Sequence, residues 1–120
     1  MKGTECSTTL TVTIEAGPRG EMAELVRGRE GSLIERIKPL VRRRSVTLDM
    51  RNVERIDAAG ISALITLYCA ARQAGHEFVV SRAVPRVEEI LALVGVKRLL
   101  NPPEHGNAPE YSFSLQLAEV

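Results

Sequence analysis

Tryptophan is absent from this chain, and two tyrosines and two phenylalanines are its only aromatic residues. The core must therefore be aliphatic, built from Leu, Ile, Val and Ala. Few rings remain to stack nucleic-acid bases. Cysteine is nearly absent too: Cys6 and Cys69 form no CxxC pair and no metal-ligand spacing. That pattern argues against a disulfide scaffold or a zinc site and fits a reduced compartment. Neither sign of charge dominates, because 16 Lys and Arg against 15 Asp and Glu leave +1. No global field recruits nucleic acid or a membrane. No uninterrupted apolar run approaches the roughly 18 residues that cross a bilayer, and MKGTECSTTL lacks the apolar stretch of a signal peptide. These absences predict a cytoplasmic chain with no membrane insertion, no nucleic-acid partner, no metal and no cofactor.

What is present suits one compact domain. The chain has 120 residues, 44% of them hydrophobic, enough to bury a core without staples. Residues 1–8 are polar and read as a flexible tail, which leaves 9–120 as the single domain. Leu10, Val12 and Ile14 alternate with polar residues, the period of a half-exposed strand. Gly17-Pro18-Arg19-Gly20 reads as a turn. Residues 22–26 then read as a second strand returning in a hairpin, with Glu24 facing out. Ser32-Leu33-Ile34-Glu35 has the form of a capping box. It opens a helix of Leu33, Ile34, Ile37, Leu40 and Val41 that contains Pro39 and is expected to end near Val41. GREGS, residues 28–32, lacks the spacing and lysine of a phosphate loop and reads as a loop before that helix. Arg42, Arg43 and Arg44, with Arg36 and Lys38 upstream, read as a solvated helix end.

SVTLDM, residues 45–50, is a short buried strand, and residues 51–55 read as a polar loop. A long apolar helix opens after Asp57 and stops at Gly75. Phe78-Val79-Val80 is a strand buried on both faces. Pro85 starts a helix whose buried face is Val87, Ile90, Leu91 and Val94, and Gly95 ends it. Residues 96–100 read as a short strand and 101–109 as a loop. Tyr111, Phe113, Leu115 and Leu117 alternate as a final strand. The strands over 45–49 and 78–81 flank a helical crossover of the length a parallel pair needs. The predicted fold class is α/β, a small mixed β-sheet with helices packed on it.

The stretch RIDAAGISAL, residues 55–64, is the chemically distinctive corner. Asp57 is a natural N-cap, accepting from the N–H of Ala59 or Gly60. Gly60 permits a close backbone approach. Ile61, Leu64, Ile65, Tyr68 and Arg72 share one face, with the stems of Tyr68 and Arg72 set against the core and their polar tips outside it. Ala59, Ser62, Ala63, Thr66 and Ala70 form a second stripe of small, uncharged residues. No charge occurs between Asp57 and Arg72. Two expectations stay open: that stripe meets another surface, or the helix is buried on both sides within its own domain.

At this point the residues resemble the STAS domain, named for sulfate transporters and anti-sigma-factor antagonists. The resemblance covers residues 45–100 strongly and 10–41 more loosely. It rests on the hxhDh strand Val46-Thr47-Leu48-Asp49-Met50, on Asp57-Ala58-Ala59-Gly60 opening a helix, and on VEEILALVGV at 87–96. It implies a bacterial signal-transduction module without catalysis, which binds a serine-kinase-type anti-sigma factor and so regulates transcription. It also implies a phosphorylated Ser or Thr just before the glycine. That position is Ala59 here, which has no hydroxyl, and Ala58 is no substitute. The acidic turn usual after the second strand is also altered, to Gly28-Arg29-Glu30-Gly31. The expected partner-binding residues are Asp57, Ala58, Ala59, Gly60, Ser62, Ala63 and Thr66, with no switch at the usual acceptor.

Two other roles compete. One is a soluble accessory subunit of a lipid-import ABC transporter, or a signalling scaffold, using the same helix; a homodimer through that helix is also open. The other is an enzyme using His76, His105, Asp49, Asp57, Glu54, Cys69 or Ser62. It is disfavoured because no nucleophile elbow, phosphate loop or HExxH occurs.

Overall fold

A computed structural model describes residues 9–100 and the strand at 110–115. The tail 1–8, the expected loop at 101–109 with His105, and Leu117 lie outside the described residues. Strands β1 (Thr9–Ile14), β3 (Ser45–Asp49), β5 (Phe78–Ser81) and β6 (Glu110–Leu115) form one sheet in the order β5-β3-β1-β6. Every pairing in it is parallel, with Val12 beside Leu48 and Phe113, and Leu48 beside Val80. Parallel neighbours require crossovers. Helix α1 (Glu30–Arg43) supplies the one from β1 to β3, and α2 (Ala58–Gln73) the one from β3 to β5. The fold is thus the expected α/β class, helices packed on small sheets.

Alternation along the strands sets the core. Val12, Ile14, Val46, Leu48, Phe78 and Val80 join Leu33, Ile37 and Val41 of α1 and Leu64 and Leu67 of α2 in one hydrophobic cluster. The intervening positions Thr9, Thr11, Thr13, Ser45 and Thr47 are half-buried and polar. Burying one such aliphatic side chain contributes about 1.5–3 kcal/mol. The β5 run is buried throughout, as its continuous apolar sequence requires.

Several boundaries differ from expectation. Strand β2 (Ala23–Leu25) forms, but it does not fold back on β1 as a hairpin. Both edges of β1 are occupied, by β3 and β6. Strand β2 instead pairs in parallel with β4 (Val53–Ile56), within the segment expected to be a loop. Val53 is fully buried, so the polar appearance of 51–55 concealed a two-sided strand.

The capping box does not form. Helix α1 begins at Glu30, with Arg29 at the N-cap and no side-chain cap bond. Gly28, at φ +101°, turns the chain early, and its N–H donates to Glu30 Oε1 at 2.7 Å. Ser32 and Glu35 therefore fall inside the helix. At the other end α1 continues to Arg43, past Val41, with Pro39 on its exposed side. Proline there removes one backbone bond from the helix interior.

Helix α3 (Pro85–Leu93) has Pro85 at its first position and buries Val87 and Leu91. Val94, expected inside, is its C-cap and lies exposed. Gly95, at φ +81°, closes α3 in a Schellman turn. In it Gly95 N–H donates to Ala92 O and Val96 N–H to Leu91 O, both at 3.1 Å. Residues 97–100 form helix α4 (Lys97–Leu100), not a strand. Val96 and Leu100 are buried one helical turn apart.

Leu67 is fully buried in α2, one residue from the exposed Thr66. Leu67→Ala is expected to lower unfolding stability by about 2–5 kcal/mol. Thr66→Ala should stay within about 0.5 kcal/mol. Urea denaturation followed by circular dichroism measures both.

Candidate functional site

The corner between β4 and α2 is built by Asp57. Its backbone is extended, at φ −124° and ψ −170°, and its side chain caps the helix as the sequence predicts. Oδ1 accepts from Gly60 N–H at 3.1 Å. Oδ2 accepts from Arg27 N–H, also at 3.1 Å. The Asp57 N–H donates to Leu25 O at 3.3 Å. One residue thus ties the end of β2 to the start of α2, a connection that helical spacing does not reveal. The Arg27 amide, and then the Gly60 amide, hold the Asp57 carboxyl below its ordinary value. Each donates to the charged form. Desolvation opposes them, while the Ala59 amide and the Arg27 charge assist.

Gly60 completes the corner. A methyl group there would run into the Leu25 carbonyl oxygen and lie 2.8 Å from Ile56 Cγ1. Only glycine lets α2 approach β2 this closely.

Beneath the corner lies the Asp49–Arg51 pair. Asp49 is 3% exposed. It accepts from Arg51 N–H at 3.0 Å, from Nε at 3.2 Å and from the guanidinium terminus at 2.9 Å. Next to it, Asn52 Nδ2 donates to Ile14 O at 2.9 Å, and Asn52 O accepts from Ala23 N–H at 2.7 Å. These bonds fix the turn from β3 into β4. The role of the hxhDh aspartate here is structural.

The expected docking residues divide. Asp57, Ala58, Ser62 and Thr66 are exposed, and Ala59 is half-buried. Gly60 and Ala63 are buried, as is Ala70 of the same stripe, so these three cannot meet a partner. They belong to the inner face of α2, where small side chains permit close packing. Ile61 and Ile65, expected inside, are only half-buried, and Tyr68 is half-buried, in line with an inward stem and an outward tip. The helix is turned by about one residue position from the expected orientation. Arg72 is exposed and lies over the Tyr68 ring, 5.8 Å from its centroid. Cys69 lies in the apolar helix α2, with its thiol free and exposed. The exposed strip of α2 is therefore Ala58, Ser62, Thr66 and Cys69, residues spaced by four, four and three.

The candidates for catalysis stay apart. His76 Nδ1 is 2.8 Å from Val41 O, where it ties the segment after α2 to the last turns of α1. Asp49 is engaged by Arg51, and Asp57 by two amides. No hydrogen bond joins any two of Asp49, Glu54, Asp57, Ser62, Cys69 and His76. No group of three His, Cys, Asp or Glu among the described residues is placed to hold a metal ion.

A family model described as "Mlab, STAS domain" matches residues 23–101, from β2 to just past α4, and so contains the whole corner. Comparison with curated proteins finds no match.

Gly60→Ala gains about 1 kcal/mol of helix propensity and loses more to the collision with Leu25. A net destabilisation of about 1–3 kcal/mol is expected in thermal or urea unfolding. The Asp57 carboxyl lies below its ordinary 3.8 when folded. Its stabilising contribution is complete above that value and is lost as pH falls through the lower folded one. The stability gap between the native chain and Asp57→Asn should be flat near neutrality and shrink below about pH 4. Urea titrations across pH measure it.

Proposed function

The chain belongs to the STAS domain family, and from that membership we propose that it is a non-catalytic interaction module resembling an anti-sigma-factor antagonist. It docks a kinase-type anti-sigma factor through the exposed strip of α2 and the Asp57 corner, and so regulates transcription in the cytoplasm of a bacterium. The supporting observation is the strip itself: Ala58, Ser62, Thr66 and Cys69 are exposed for three turns without a charge. A solvent-only helix face normally carries Lys, Glu and Arg. STAS domains mediate protein–protein contacts, and such a strip lets two backbones approach closely.

Ala59 stands at the position that the resemblance assigns to the phosphoacceptor. It is half-buried beside the Asp57 carboxylate, whose ionised form is favoured. A phosphate there would add about −1.5 to −2 charge next to that carboxylate. With alanine the corner stays permanently in the unmodified, docking-ready state.

A second reading keeps the face and changes the partner, to the ATPase of a lipid-import transporter or to a multi-STAS scaffold. The match to the model described as Mlab favours it. Among the described residues no helix is long and apolar enough to cross a membrane, so the chain's helices would meet such a complex from outside the bilayer.

Incubation with a cognate kinase and ATP is expected to leave the intact mass unchanged and the affinity for the partner independent of ATP. A phosphate on this chain that abolishes binding would refute constitutive docking. Ala59→Glu should weaken docking about tenfold or more, read by calorimetry. Unchanged affinity moves the interface elsewhere. Purification of the tagged chain from its own cells separates the readings: a histidine-kinase-like ATPase supports the first, a transporter ATPase the second.

A further inference from the structure

The end of the molecule remote from the Asp57 corner carries an unneutralised basic cluster. As crossovers between parallel strands, α1 and α2 both finish at the edge where β1, β3 and β5 begin. Hydrogen bonds tie the two finishes together: His76 Nδ1 lies 2.8 Å from Val41 O, and Glu77 N–H donates to Ser45 Oγ at 3.0 Å. Arg42 and Arg43 occupy the last turn of α1, Arg44 is its C-cap, and Arg72 is in the last turn of α2. Arg42, Arg43 and Arg72 are exposed, and Arg44 is half-buried. The ion pairs among the described residues, Asp49–Arg51, Glu24–Arg55 and Glu88–Lys97, include none of the four.

Helix capping accounts for only part of this charge. Each helix C-terminus presents roughly half a negative charge, so two of them offset about one of the four cations. Glu77, the nearby exposed carboxylate, offsets a second. About two positive charges remain in excess. The chain as a whole carries +1. The four arginines stand at the end of the molecule opposite the corner.

We infer that this end docks on the anionic phospholipid surface of a bilayer, without insertion. A broad anionic plane can meet the ends of two adjacent helices at once. Single-stranded nucleic acid fits less well, because the described residues of the cluster offer no exposed ring for stacking. Tyr68 is half-buried beneath Arg72, and Phe78 is buried. Contact through this end turns the Asp57 corner away from the membrane. The partner-binding face stays free, so this inference stands whether or not the docking role proposed for α2 holds.

Sedimentation with large unilamellar vesicles tests it. Vesicles containing phosphatidylglycerol should bind the purified chain at low salt, and pure phosphatidylcholine vesicles should not. Raising salt to about 0.5 M should release it, as screening shortens to a few ångströms. Each basic residue near such a surface is worth about fivefold in partitioning. Arg42→Gln with Arg43→Gln should therefore lower binding about 25-fold. Arg19→Gln with Arg86→Gln removes the same charge elsewhere and should leave binding within about twofold. Circular dichroism checks that both variants are folded. Equal binding to neutral vesicles, equal loss in the two double variants, or tighter binding to a DNA duplex than to vesicles at matched phosphate would each overturn the inference.

Discussion

A single carboxylate organises the corner where α2 begins. Asp57 joins two amides from different elements, Gly60 of α2 and Arg27 beyond β2, while its own N–H reaches Leu25. The close approach this demands leaves no space for a side chain at position 60. The start of α2 is thus held as a rigid platform, because helix and strand share the same hydrogen-bonding group. The Asp49–Arg51–Asn52 network sets the turn feeding β4 and performs the same service one layer below.

That platform explains why α2 is built of small residues on two sides for two different reasons. On the inner side Gly60, Ala63 and Ala70 let the helix sit close to its own domain. On the outer side Ala58, Ser62 and Thr66 leave a low, uncharged strip. Of the two readings that composition left open, burial within the domain holds for Ala63 and Ala70, while Ser62 and Thr66 lie exposed. A face buried within its own domain and a face offered to a partner use the same residue types, since both require close approach of backbones.

The basic end belongs to the same logic of division. Parallel crossovers place both helix C-termini at one edge of the sheet and the Asp57 corner at the other. Cations collected where helices end serve the helix dipoles first, and the surplus defines a second surface without disturbing the first. A small domain with a four-stranded main sheet and two long helices thereby presents two chemically distinct ends.

Local periodicity and local chemistry in the sequence determined the existence of most elements, the Asp57 cap, the glycine that ends α2 and the family. Each of these depends on residues within a few positions of one another. Only the tertiary structure decided that β2 joins β4 and not β1, that 53–56 is a strand, and that α2 is turned so that Cys69 is exposed and Ala63 is covered. A strand pattern states that edges need partners but not which partner arrives, and here β3 and β6 had already taken both edges of β1. Likewise a helix with apolar or small residues all around has no orientation of its own. Its inner face is whichever one α1 and the sheet come to cover.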